Sequence, residues 1–274
     1  MRKLFILAFA LLSLASFGQK HITQPQQMDS LAMVVYYSFN TQRERIEGLY
    51  EQEKDSTKLF ELKAQWLDID RQCYKSMLAH YAKYLNESDY AVSMLYKLRT
   101  GVEKKDLASV MKKLKDKEIK ATTYAQLIDK YLTTEQVMVG GKYLDFQATT
   151  AQAQPFVLSE LLQMKDVLLI FGGLGCMGDE TLQLLKLCYA TLDISKVEIV
   201  SVFLNDSMKD FMDEYTQFDV RWLGVCDMLG EVSEVKLNYN VQATPTCVYI
   251  GSNGIVKAWS LGVTDEILEL LTKK

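Results

Sequence analysis

The sequence predicts an α/β domain in its C-terminal half, preceded by an all-α helical domain. Three observations carry this reading. Proline is confined to Pro25, Pro155 and Pro245, and between Gln26 and Val139 glycine occurs only at Gly48 and Gly101. Apolar residues in that stretch recur at helical spacing, and after Val139 the pattern changes to strand-like runs alternating with helical ones. The chain has 274 residues, room for one large domain or two ordinary ones.

At the N-terminus, Arg2 and Lys3 precede an apolar run from Leu4 to Leu14, and Ala15-Ser16-Phe17-Gly18 supplies small residues for cleavage. This layout predicts a secretory signal peptide over residues 1–18 and an exported protein, periplasmic or secreted. The alternative, a membrane anchor, is disfavoured because the run falls short of the ~20 residues needed to span a bilayer. No cysteine follows the run to carry a lipid, and no later stretch is apolar enough to span.

Residues 19–137 read as the helical domain, with five or six helices. Leu31, Val34, Val35 and Phe39 form one apolar stripe, and Leu59, Leu62, Trp66 and Ile69 another. Further helical runs cover 77–84, 89–98, 105–115 and 124–132, in a composition rich in helix-tolerant residues. Tyr36, Tyr37, Tyr50, Tyr81, Tyr84 and Tyr90 read as core, with a groove lining as the alternative. His80 reads as structural.

Residues 138–274 form the α/β domain. Strands are expected at 142–147, 167–171, 197–204, 221–225, 246–250 and 255–260, and helices at 176–190, 207–218, 231–237 and 265–273. The Val167–Phe171 run has no charge and no alternation, as a strand buried on both faces requires. Gly251-Ser252-Asn253-Gly254 joins the last two strands as a hairpin, and Thr264 suits the N-cap of the last helix.

Composition excludes some chemistry. A net charge of −4 without a dense basic stretch gives no footprint for nucleic acid. Five cysteines (Cys73, Cys176, Cys188, Cys226 and Cys247) make neither a disulfide framework nor a zinc pattern. Two histidines leave little material for a metal site, and neither a metal nor a cofactor is expected.

The chemistry gathers around Cys176, in the stretch Ile170–Glu180 (IFGGLGCMGDE). A thiol placed after a buried strand and at the start of a helix meets oriented N–H groups that favour thiolate. Some seventy residues on, Ala243-Thr244-Pro245-Thr246-Cys247 puts a proline just before an apolar strand.

Together these segments resemble the thioredoxin superfamily, and especially exported thiol–disulfide proteins related to TlpA and ResA. The resemblance covers about 138–274. Val139-Gly140-Gly141-Lys142 with Asp145-Phe146 is similar to the family's leading strand, and Leu158-Ser159-Glu160-Leu161 to its LSEL segment. Leu168–Cys176 is similar to the strand and loop carrying FWAxWCxxC, Thr244-Pro245-Thr246 to the cis-proline loop, and Asn253-Gly254 to the last hairpin. The helical half matches N-terminal extensions of exported members more loosely. The resemblance implies a thioredoxin-like sandwich, Cys176 as candidate nucleophile, and a peptide held at Thr244 and Pro245.

The departures bear on function. Asp179 stands in place of the resolving cysteine, so the motif reads Cys-Met-Gly-Asp. Gly172 and Gly175 replace the motif's aromatics, while Ile170 and Leu182 occupy the positions where relatives keep a proton-handling acid. Cys188, twelve residues along the same expected helix, lies roughly 18 Å from Cys176 at 1.5 Å per residue. That exceeds the ~7 Å limit for disulfide Cα atoms. Cys247 is expected in the sheet's packing and Cys226 at an exposed strand end.

Two readings follow. One is a binding or redox-related module of the cell envelope that keeps the peptide groove. The other is a monothiol oxidoreductase using Cys176 on disulfide or oxidised substrates, with a protein or peptide client or a small thiol as partner. A peroxiredoxin is a weaker third reading, since no Pro-x-x-x-Thr-x-x-Cys pattern leads to Cys176.

Overall fold

The computed structural model describes residues 24–172 and 174–272. The expected signal peptide, residues 1–18, lies outside the described residues. The chain divides into two compact units that meet in sequence at Ile128 and Asp129.

The first unit is helical: α1 Pro25–Gln52, α2 Ser56–Ala82, α3 Asp89–Leu98, α4 Lys104–Met111, α5 Lys117–Lys120, and α6 Thr123–Thr133, which runs across the boundary. The two apolar stripes belong to the long helices α1 and α2, and the expected run at 77–84 continues α2 rather than starting a new helix. Pro25 opens α1 at a position where the missing N–H costs nothing. Asp55 caps α2 by accepting from the N–H groups of Thr57 and Lys58 at 2.9 and 3.0 Å.

His80 is buried, its Nε2 2.9 Å from the Met28 carbonyl oxygen, and burial lowers its pKa. Tyr81 is fully buried, and both Tyr81 and Tyr90 donate to the Asp29 carboxylate at 3.0 and 2.6 Å. The core assignment fails for Tyr36, Tyr37 and Tyr50, which are exposed. Long helices repeat apolar residues on more than one face, and spacing alone does not say which face a neighbour covers.

The second unit is built on a seven-stranded sheet: β1 Gln147–Thr150, β2 Pro155–Val157, β3 Asp166–Phe171, β4 Val197–Phe203, β5 Leu223–Cys226, β6 Thr246–Ile250 and β7 Val256–Leu261. The strand order is β2-β1-β5-β4-β3-β6-β7. β3, β4 and β5 run parallel, β6 and β7 pair antiparallel beyond β3, and the β1–β2 hairpin adds to β5. Helices α7 Leu158–Leu162, α8 Asp179–Thr191, α9 Met208–Gln217, α10 Glu234–Asn238 and α11 Asp265–Thr272 complete it.

Every residue of β4 is buried, and β3 is buried from Val167 to Phe171. Leu168 and Ile170 pack into one core while Val167, Leu169 and Phe171 pack into the other, on the opposite sheet face. A βαβ unit feeding an antiparallel pair and a final helix is the thioredoxin-like arrangement, so the unit has that fold.

The leading strand departs from its expected span. Lys142 makes only an isolated bridge to Ile255, and β1 begins at Gln147. Between them the Asp145 carboxylate accepts from the Phe146 N–H at 3.0 Å, taking that donor out of any ladder, and from the Ser159 N–H of α7 at 2.9 Å.

Candidate functional site

β3 ends at Phe171, and the chain passes through Gly172 into a 3-10 turn, Leu174–Met177, which carries Cys176. Cys176 is exposed. The following helix begins three residues later than expected. Gly178, with φ 77° and ψ 152°, is the N-cap of α8, and Asp179 is its first residue. Cys176 therefore does not occupy the N-terminus of α8. The sequence carries a signal for this break: a glycine followed by two acids, Asp179 and Glu180, which favour a first helical turn.

Two glycines in the loop that carries Cys176 have close neighbours. Gly172 has φ 94°, and a Cβ built on it would stand 2.1 Å from Thr244 Cγ2 and 2.4 Å from Thr244 Cβ. Both contacts lie far inside van der Waals distance, and the backbone is in the region that L side chains avoid. Only glycine lets the end of β3 approach Thr244 this closely. At Gly175 the corresponding Cβ would lie 3.0 Å from Phe218 Cζ. Phe218, just past the end of α9, thus packs beside this turn.

Cys176, Gly172 and Thr244 line one cleft of about 450 Å³. The Thr244–Pro245 peptide is cis; Thr244 is exposed and Pro245 is buried. The Thr246 hydroxyl donates to the Ala243 carbonyl at 2.6 Å, and the Gly262 N–H donates to the Pro245 carbonyl at 2.8 Å, fixing the loop. The structure thus brings Cys176 and Thr244 together. It leaves Asp179 on the exposed first turn of α8, outside the cleft lining.

The rest of the lining comes from residues that sequence reasoning passed over, including Asn205, Glu214, Glu231 and Lys236. Asn205 Nδ2 donates to Glu214 Oε2 at 3.1 Å, and Lys236 Nζ donates to Glu231 Oε2 at 2.7 Å. The available signal was positional: Leu204 and Asn205 lie just past the C-terminal end of parallel strand β4, where open α/β sheets bind ligands.

All five cysteines are free. Cys226 is buried, which corrects the expectation of an exposed strand end. Its Sγ lies 3.4 Å from the Asn205 carbonyl oxygen, and burial raises its pKa. Cys247 is also fully buried, and burial pushes its thiol up to about 12. Cys188 is half-buried on α8, and Cys73 is buried in the helical unit. Ile170 and Leu182 are core residues, leaving no acid at either expected position. Among the described residues, no group of three or more His, Cys, Asp or Glu side chains could hold a metal ion. No helix of the described residues is long and apolar enough to cross a membrane.

No protein-family model matches the chain, and neither does any curated protein. Solved structures do match. A thioredoxin-like protein from Bacteroides caccae is 17% identical over 77% of this chain and 82% of its own, with a TM-score of 0.44. A thiol-disulfide oxidoreductase from Bacteroides fragilis is 20% identical over 48% of this chain and 100% of its own, at a TM-score of 0.42. The thioredoxin domain of a thiol-disulfide oxidoreductase from Bacteroides vulgatus is 15% identical over 49% and 96%, at 0.44.

Proposed function

We propose that this is an exported, thioredoxin-like envelope protein that binds a client through a single reacting thiol, Cys176. One observation carries the reading. Cys176 is the sole cysteine that is exposed, and it opens onto a cleft edged by Thr244, while Cys73, Cys226 and Cys247 are buried and Cys188 is half-buried on another element. Export rests on the N-terminal sequence pattern. Residues 138–274 carry the chemistry, and residues 19–137 supply a partner surface.

The chemistry available to such a site is one exchange step. Cys176 in its thiolate form attacks one sulfur of a disulfide. A Cys176–S bond forms as the original S–S bond breaks, and the departing sulfur leaves as a thiolate that takes a proton from water. The site then holds a mixed disulfide. A dithiol enzyme would collapse it with a second cysteine, but Asp179 has no sulfur to offer. An external thiol releases the client, which is the monothiol oxidoreductase reading; the exposure of Cys176 leaves the bond open to such a thiol. Thr244 and Pro245 would hold a peptide client beside the sulfur.

Intact-mass measurement after incubation with a small symmetric disulfide tests the proposal. One adduct is expected, mapping to Cys176 and missing in Cys176→Ser. An unmodified protein, or an adduct on another cysteine that survives Cys176→Ser, would refute it.

A further inference from the structure

We infer that the cleft beside Cys176 selects cationic disulfides and thiols, such as client segments with lysine or arginine next to cysteine; the inference rests on reading Cys176 as the reacting thiol. The lining holds two carboxylates and one ammonium group, and these do not cancel. Lys236, with 13% of its side chain exposed, is bonded to Glu231. Glu214 has no cationic partner among the described residues and receives only the Asn205 amide.

Asn205, the one donor to Glu214, shows the same shortage of donors beside it. With Nδ2 committed to Glu214, its Oδ1 is a buried acceptor with no hydrogen-bond partner. Exchanging the amide atoms would set Oδ1 against a carboxylate, so the orientation is fixed by its neighbour. The α9 side of the cleft therefore presents the Glu214 carboxylate with one amide donor and, among the described residues, no cation, while Asn205 Oδ1 is closed to solvent.

The surroundings carry the same sign. Asp179 and Glu180 fill the first turn of α8, directly after the Cys176 turn. Gly262, tied to Pro245, leads within three residues into Asp265 and Glu266 at the start of α11. Lys209 is engaged by Asp213 at 2.6 Å. Over the whole unit, residues 129–274 hold 20 acidic and 11 basic side chains, whereas residues 1–128 hold 15 acidic and 20 basic. The chain's modest net charge hides a strongly negative thioredoxin-like unit, and a cleft of one sign concentrates ligands of the other.

The test uses the mature chain carrying Cys188→Ser and measures the rate of mixed-disulfide formation at Cys176 by mass spectrometry. The probes are cystamine, a dication, and 3,3′-dithiodipropionate, a dianion. Each rate is divided by the same reagent's rate with 2-mercaptoethanol, which removes differences in leaving-group reactivity. At about 20 mM ionic strength the normalised preference for cystamine should be about tenfold or more, and it should fall towards unity near 1 M salt, where the screening length is only about 3 Å.

Glu214→Gln should lower the preference by about threefold or more. Asp193→Asn, which removes an equal charge before β4 at the far end of the strand from the cleft, should leave it unchanged. Equal normalised rates would overturn the inference, as would a preference that both variants reduce alike, since the selectivity would then come from overall charge. If neither reagent modifies Cys176, the one-thiol reading itself fails, and this inference falls with it.

Discussion

Gly172→Ala should destabilise the thioredoxin-like unit, and the structure sets the size of the effect. Holding a non-glycine residue in the left-handed region costs roughly 1–2 kcal/mol. A methyl placed 2.1 Å from Thr244 Cγ2 must also push the cis-proline loop or β3 aside, and overpacking of this kind costs about 1–3 kcal/mol. Together they predict a loss of about 2–5 kcal/mol, a large part of a typical domain stability of roughly 5–15 kcal/mol.

Urea unfolding followed by tryptophan fluorescence reads this loss, because Trp222 is buried in this unit. With a slope of about 2 kcal/mol per molar urea, the midpoint should fall by about 1–2.5 M. Thr244→Ala in the same chain removes the nearest methyl but leaves Cβ at 2.4 Å, so it should recover only part of the loss, about 1 kcal/mol. A Gly172→Ala variant within about 0.5 kcal/mol of the parent would refute the reasoning. It would mean that the loop moves freely and that the contact with Thr244 shapes nothing.

Further outcomes follow from the same structure. A maleimide reagent should label Cys176 first and Cys188 slowly, with Cys73, Cys226 and Cys247 protected until denaturant is added; peptide mapping over time checks the order. Ser201→Ala should cost about 1–3 kcal/mol in urea unfolding, because Trp222 Nε1 donates to the buried Ser201 hydroxyl at 2.8 Å and would be left without a partner. Cys247 makes stability fall at alkaline pH. Its folded thiol stays protonated up to about 12, while an unfolded thiol ionises near 8.5, so stability present below about pH 8.5 drains away as pH rises towards 12. Urea midpoints at pH 8 and pH 10 should therefore lie closer together in Cys247→Val than in the parent, and an unchanged gap would count against this.

The legible parts of the fold were those where local pattern and tertiary burial agree. The uncharged run before Phe171 reads as a central strand because both of its faces are covered, and Thr246–Ile250 emerges for the same reason. Pro155–Val157 was missed: three residues behind a proline hold too little pattern to mark a strand, and it exists because Gln147–Thr149 pairs with it. The start of α8 was misplaced because apolar spacing around Cys176 continues through Gly178, while the φ of Gly178 breaks the helix.

At the site, Cys176, Thr244 and Pro245 could be found because each sits in a motif. Asn205, Glu214 and Lys236 could not, since they reach the cleft through the return of the chain after β4 and along α9 and α10. The contacts of Gly172 with Thr244 and of Gly175 with Phe218 join residues far apart in sequence. The sequence shows where the glycines stand; only packing shows that Thr244 and Phe218 crowd them. Cys226 was misjudged for a related reason: a strand end is exposed only if no loop covers it, and here the segment at Asn205 does.

The central claim is that Cys176 makes a mixed disulfide that the chain cannot resolve by itself. Insulin mixed with one equivalent of the reduced mature chain and no added thiol tests it most directly, because attack then occurs without an outside route for release. The account predicts a persistent Cys176–insulin mixed disulfide, seen by mass spectrometry, discharged by dithiothreitol and absent in Cys176→Ser. Free reduced insulin chains with no adduct, or an adduct that survives Cys176→Ser, would contradict it.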